Sequence, residues 1–303
     1  MNYRLRILSV VVFAAILGLA VFGAPSAPQA TASDYSGHVP VLAFAEIITD
    51  PISGQAGRID ILRQDLGNGQ LSHDFVYNDP RRAEFNGGKA GVTYAVNTGF
   101  PSADANLTNQ VQWMYDSILI WNASVCADLT LSENSIASGT PGVVKRYFDT
   151  GVINEDWVAD LTQVGFLSAA QFPYFGANPN VLGVTFTLFW GDENGNLTDI
   201  DNNGKFDVAF REIYYNDQFE WADNGVEGVQ PSGPRVFDFP TVAIHEAGHG
   251  VSAAHFGTIG RKDGRLVANP RTIMNAIYGG TLRTLAGHDQ AATCANWAQW
   301  PMR

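Results

Sequence analysis

The segment His245-Glu246-Ala247-Gly248-His249-Gly250-Val251-Ser252-Ala253-Ala254-His255 constrains this chain more than any other. It gathers three of the chain's six histidines. On a helix, positions i and i+4 share a face, so His245 and His249 can point their imidazoles at one ion. Glu246 sits about 100° round from His245, near enough to hold a water on that ion without ligating it. His255 lies too far along for the same face, and becomes a third ligand only where the chain breaks after His249 and swings back. Three neutral imidazoles suit zinc, and they leave one position of a tetrahedral ion open, as catalytic sites do. A closed structural site normally recruits cysteine, and neither Cys126 nor Cys294 lies near. The alternative is a polar helix face whose histidines are solvated.

The form H-E-x-x-H-x-x-x-x-x-H resembles the zinc-binding signature of the metzincin metallopeptidases. Its flanks are similar to the matrixin-like branch. Ile213-Tyr214-Tyr215-Asn216 and Trp221 resemble the last strand before the zinc helix. Arg271-Thr272-Ile273-Met274-Asn275 resembles the methionine turn beneath the metal, where the alternative is a lone core Met, and Leu285 to Trp297 resembles the closing helix. The resemblance implies an α+β catalytic domain over residues 90–303. That domain has a twisted mixed β-sheet with an antiparallel edge strand at Val181–Trp190, a zinc-binding active-site helix and a C-terminal helix. It implies a secreted zinc-dependent metalloendopeptidase, with zinc on His245, His249 and His255, Glu246 as general base, and a protein or peptide substrate lying along Val184 to Phe189. The segment after Met274 would wall the primed-side pocket. Tyr278 stands four residues after Met274 and is left out of the ligands, and His288 is read as local capping. Where the family has Gly seven residues after the first His, this chain has Ser252. Either Ser252 takes the left-handed turn or the helix breaks a residue or two away, helped by Gly250. No glutamate follows His255, which removes a thermolysin-like third ligand.

Hydrophobic content of 46% with 12% aromatics excludes a disordered chain. A formal charge of −12 and a pI of about 4.8 argue against nucleic acid as a partner. Arg4 and Arg6, the apolar run Ile7 to Ala24 and Ala30-Thr31-Ala32 read as a signal peptide over residues 1–32. Its removal leaves an exported, soluble chain with no membrane segment, and an uncleaved anchor is the alternative. Residues 33–89 form an N-terminal extension, either a propeptide or extra strands, with strand-like composition at Val39 to Ile48 and Arg58 to Leu62. The extension contains no cysteine, so latency through a cysteine on the zinc is excluded. Cys126 and Cys294 either pair in an oxidising compartment or stay as buried thiols.

Along the rest of the chain, Gly91 to Asn97 reads as a strand. A helix is expected after Ser102 as N-cap, with Leu107, Val111, Met114, Ile118 and Trp121 as its buried stripe. Asp128 to Leu131 reads as the second strand, and Ser138 to Asn180 as an insertion with short helices at Val143 to Phe148 and Trp157 to Phe166. Asp207 to Tyr215 is a strand, and Asp238 caps a helix with Pro240 in its first turn. Asp199, Asp201, Asn203 and Asp207 fall at positions 1, 3, 5 and 9 of a calcium-loop pattern with Gly204 at 6. Position 12 is Phe210, so this is no EF-hand. Hard oxygen donors at this density favour Ca²⁺, the alternative being a solvated turn. Two rival functions stand beside the peptidase: an exported calcium-binding adhesion or scaffold module with a non-catalytic zinc site, and a zinc amidase acting on a non-protein amide.

Overall fold

Val181–Gly191 is an eleven-residue strand buried at every position, a pattern only a strand covered on both faces can show. The structure, a computed structural model, describes residues 39–49 and 71–300 except 77–78, 83–85, 87, 124–125, 153–156, 193, 195, 227, 230–234, 263–264 and 299. The expected signal peptide and the Arg58 to Leu62 strand lie outside the described residues.

The main sheet contains β1 (Val39–Thr49), β2 (His73–Asp74), β3 (Thr93–Val96), β4 (Ser132–Glu133), β5 (Leu161–Leu167), β6 (Val181–Gly191) and β7 (Phe206–Asn216). Their order is β1-β6-β7-β5-β3-β4, with β2 pairing beside the start of β7. Strands β4, β3, β5 and β7 are mutually parallel, β6 is antiparallel to β7, and β1 is antiparallel to β6. Helices α1 (Gln110–Asn122) and α4 (Phe239–Gly250) share one core cluster with Leu161, Phe166, Ile213 and Tyr215 of the sheet. Helices α2 (Val143–Thr150) and α3 (Pro173–Ala177) share the other with Val184, Phe186, Leu188 and Tyr214. The fold is therefore mixed α/β, with a mostly parallel sheet between two helical layers. Helix α5 (Gly287–Trp297) docks on the end of α4, where Trp297 Nε1 donates to Val251 O at 2.7 Å.

Four expectations are corrected here. The strand at Val181–Trp190 is antiparallel to its neighbour, but it is not at the edge: β1 occupies its outer side from Val39↔Gly191 to Thr49↔Val181. The piece Trp157 to Phe166 is no helix, because Leu161–Leu167 runs between β3 and β7 as an inner strand. A short apolar run reads alike as helix or strand, and the ladders on either side decide it. Helix α1 starts at Gln110 instead of near Ser102, since its cap is remote. Asp223 accepts from Thr108 N at 3.1 Å and from Asn109 N at 2.6 Å. Likewise Gly142, at the N-cap of α2, has no side chain, and Glu212 of β7 accepts from Val143 N at 2.7 Å and Val144 N at 2.9 Å. The second strand falls at Ser132–Glu133, after Asp128 to Leu131, with Thr130 at a φ of 47° in between.

Residues 71–76 and 79–82 are built into the body. Arg82 grips Asp160 through Nε at 2.8 Å and Nη2 at 2.7 Å, and Arg81 Nη2 lies 2.7 Å from both Asp79 and Asp207. Cys126 and Cys294 are bridged with Cα atoms 5.5 Å apart, tying the end of α1 to α5 across 168 residues.

Candidate metal centre

Helix α4 begins as its sequence dictates. Asp238 accepts from Thr241 N at 3.1 Å and Pro lies in the first turn. All twelve residues of the helix are buried. Its face toward α1 is shaped by Gly248, where a Cβ would collide with Met274 Sδ and the Trp121 ring. Trp121 Nε1 donates to Ile244 O at 2.8 Å. The helix stops at Gly250 through a left-handed cap: Ser252 takes a φ of 69°, Ala253 N donates to Gly248 O at 2.9 Å and Ser252 N to His249 O at 3.0 Å. Of the two outcomes the sequence allowed, Ser252 accepts the strain. Arg211, wholly buried, secures this end by donating to Gly250 O at 2.8 Å, while its Nη2 lies 2.8 Å from His73 Nδ1.

The reversal brings the third imidazole back. His249 Nε2 lies 3.1 Å from His245 Nε2 and 3.1 Å from His255 Nε2, and all three nitrogens fall within 4.8 Å of one another. His245 Nδ1 lies 2.6 Å from Ile273 O, and His249 Nδ1 lies 2.8 Å from Ala253 O. A carbonyl can only accept, so each Nδ1 carries the proton and each Nε2 presents a lone pair. Burial holds His245 down to about 4, and burial, with the neighbouring His255 and His245, holds His249 well below its usual value. Both rings are thus neutral near pH 7, and the 3.1 Å contact between them sets lone pair against lone pair. A cation between them resolves that repulsion. A tetrahedral ion about 2.05 Å from each nitrogen spaces its ligand nitrogens about 3.3 Å apart, close to the spacing here.

Glu246, the next residue on the helix, is wholly buried beneath β6. Thr185 Oγ1 lies 2.7 Å from Glu246 Oε2 and 2.9 Å from its backbone O. A Cβ on Gly183 would stand 2.9 Å from Glu246 Cγ, so only glycine lets the strand pass this close. Burial and the Glu246 carboxylate push the Tyr215 phenol well up, which keeps it a neutral neighbour.

Below the histidines runs the turn at Ile273–Asn275. Asp289 of α5 accepts from Ile273 N at 3.1 Å, Met274 N at 3.2 Å and Ala286 N at 2.8 Å. The turn in turn offers Ile273 O to His245, so a carboxylate on α5 orients an imidazole on α4. Tyr278 OH accepts from Asp238 N at 3.0 Å, a structural contact. His288 is exposed and stacks on Phe256 at 4.6 Å. Thr185 and Gly183 carried no signal in the sequence, because their relation to Glu246 exists only once β6 lies on α4.

The acidic loop is brought together in part. Carboxylate oxygens of Asp199, Asp201 and Asp207 lie within 4.8 Å of one another. Asp207 Oδ2 accepts from Arg81, Thr198 and Ile200 N, while its Oδ1 is buried and accepts no hydrogen bond. Burial and the nearby Asp74, Asp207 and Asp199 charges raise Asp201. Asn203 Oδ1 accepts from Lys205 N at 2.7 Å, and its amide nitrogen faces Asp201 at 3.0 Å. Asp74, from the N-terminal extension, also stands beside the loop, with Lys205 Nζ at 3.2 Å as countercharge. No family model matches this chain, and no curated protein matches it either.

Proposed function

We propose that this chain is a secreted, zinc-dependent metalloendopeptidase of metzincin type, matrixin-like in its element order. The observation that carries this reading is the convergence of His245, His249 and His255 through Nε2, with the Nδ1 protons of the first two spent on carbonyls. The three nitrogens would hold zinc, which when bound acidifies a water and polarises a scissile carbonyl. Glu246 would be the residue that accepts a proton from the attacking water and passes it to the leaving amine. Thr185 would fix the carboxylate through Oε2, and Asp289 holds the turn beneath the histidines in place. Zinc binding alone does not need Glu246, which favours catalysis over a scaffold role.

The Cys126–Cys294 bridge supports export to an oxidising compartment. Calcium at Asp199, Asp201 and Asp207 would steady the β6–β7 hairpin, a reading supported by the buried Asp207 Oδ1. The test of the function is cleavage of casein or a quenched peptide library, with and without chelator. Glu246→Ala retains zinc and loses at least about a hundredfold in rate. Unchanged cleavage removes Glu246 from the mechanism.

A further inference from the structure

We propose that Asn296 and Trp297 of α5 are positioning residues for the third histidine: they clamp the peptide planes on either side of Ser252, and so hold the reversal that returns His255 to the other two imidazoles. This rests on the metal-binding half of the peptidase reading above and asks nothing of cleavage. Carbonyls at the end of a helix and just past it lack partners within the helix, and buried ones must find donors elsewhere. At the end of α4, three successive carbonyls are served by buried side chains of other elements. Arg211 Nη1 donates to Gly250 O at 2.8 Å, Trp297 Nε1 to Val251 O at 2.7 Å and Asn296 Nδ2 to Ser252 O at 3.0 Å. Leu71 N is a more distant second donor to Ser252 O, at 3.3 Å. The next carbonyl, Ala253 O, takes the Nδ1 proton of His249 at 2.8 Å.

Peptide groups are planar, so the direction of Val251 O fixes the plane before the Ser252 Cα, and the direction of Ser252 O fixes the plane after it. Those two planes define φ and ψ of Ser252, whose φ of 69° is costly for any residue with a side chain. The Ser252 hydroxyl does nothing to hold that conformation, being buried without a hydrogen-bond partner. Two adjacent residues of α5 therefore set the backbone angles at the point where the chain turns back, and His255 Nε2 ends 3.1 Å from His249 Nε2. Lys205 decides which way Asn296 faces. An ammonium only donates, and Lys205 Nζ lies 3.3 Å from Asn296 Oδ1, so the amide must present Nδ2 to Ser252 O. Asn296, Trp297, Lys205 and Ser252 are all buried, so a lost donor is not replaced by bulk water.

The test uses the full chain, Asn296→Leu, Ser252→Gly and the double variant. Zinc affinity is read by competition with a chromophoric chelator, and the number of imidazole ligands by X-ray absorption. Leucine keeps the size of Asn296 and removes the donor. With Ser252 in place, Asn296→Leu should raise the zinc Kd about tenfold or more and lower the imidazole count from three toward two. In the Ser252→Gly background the left-handed turn stands without support, and the same substitution should raise the Kd by less than about threefold. An equal loss in both backgrounds, or no loss in either with three imidazoles kept, overturns the proposal. Should Asn296→Leu fail to fold, adding Ser252→Gly must restore folding and zinc uptake. A double variant that stays unfolded gives Asn296 a role elsewhere and overturns the proposal too. A chain that shows this coupling but cleaves no peptide upholds the clamp and removes the peptidase reading. Peptide cleavage by a wild type whose zinc affinity ignores Asn296→Leu does the reverse, and a wild type that takes up no zinc removes both.

Discussion

Two protons on two imidazoles decide what this histidine cluster can do. Because Ile273 O and Ala253 O each claim an Nδ1–H, the Nε2 atoms of His245 and His249 have only lone pairs to offer. Ordinary solvated histidines have no need of this arrangement, and a metal site does. The pairing of His245 with His249 was legible from spacing alone, since helical periodicity places i and i+4 together, whereas His255 joins them only through the reversal at Ser252. Thr185 was not legible: it lies 61 residues from Glu246 in the chain and meets it only through the sheet. Removing its hydroxyl tests whether it positions the base. Thr185→Val should lower kcat about tenfold or more while KM and zinc content hold, as loss of a hydrogen bond to a charged group would. Thr185→Ser should restore the rate. A rise in KM at constant kcat would assign Thr185 to substrate binding.

At the scale of elements, the helix terminus is where the chain departs from the pattern it resembles. Ser252 sits at a left-handed φ of 69° with its hydroxyl buried and without a hydrogen-bond partner. The position is sustained from outside: Ser252 O accepts from Leu71 N at 3.3 Å and from Asn296 Nδ2 at 3.0 Å. Ser252→Gly should raise stability by about 1 kcal/mol, the left-handed penalty less the entropy glycine adds to the unfolded chain. Denaturant midpoints measure it, and a loss of stability would show that the serine is not strained there. Elements with local signals were readable, namely Val181–Gly191 by its apolar run and α4 by Asp238 and Pro240. Those defined by distant partners were not. Leu161–Leu167 needed its two neighbours to become a strand, and α1 needed Asp223 to fix its start. The covered edge of β6 was equally hidden, because nothing in Val39–Thr49 names the strand it joins.

For the whole molecule, burial of neutral imidazoles sets an acid limit. His73 is held well below its usual value by burial and by the Arg211 and Lys205 charges, and His245 and His249 are lowered mainly by burial. In the metal-free protein the unfolded chain takes these protons first, near pH 6.5, while the folded chain resists until about 4 at His245. Stability is therefore full above about pH 6.5 and falls as the pH drops. Each such group contributes up to about 1.4 kcal/mol per pH unit across that window. Urea midpoints from pH 7 to 5 check this, and a flat profile would mean the rings are not buried neutral. Zinc added at neutral pH should raise the melting temperature and a chelator should reverse it, since a ligand of the folded state stabilises by mass action. The most direct measurement is zinc K-edge X-ray absorption on the purified chain. Coordination by His245, His249 and His255 gives three imidazole nitrogens at about 2.0–2.1 Å with one further light donor. A protein that takes up no zinc, or a shell with fewer than three imidazoles, contradicts the three-histidine centre.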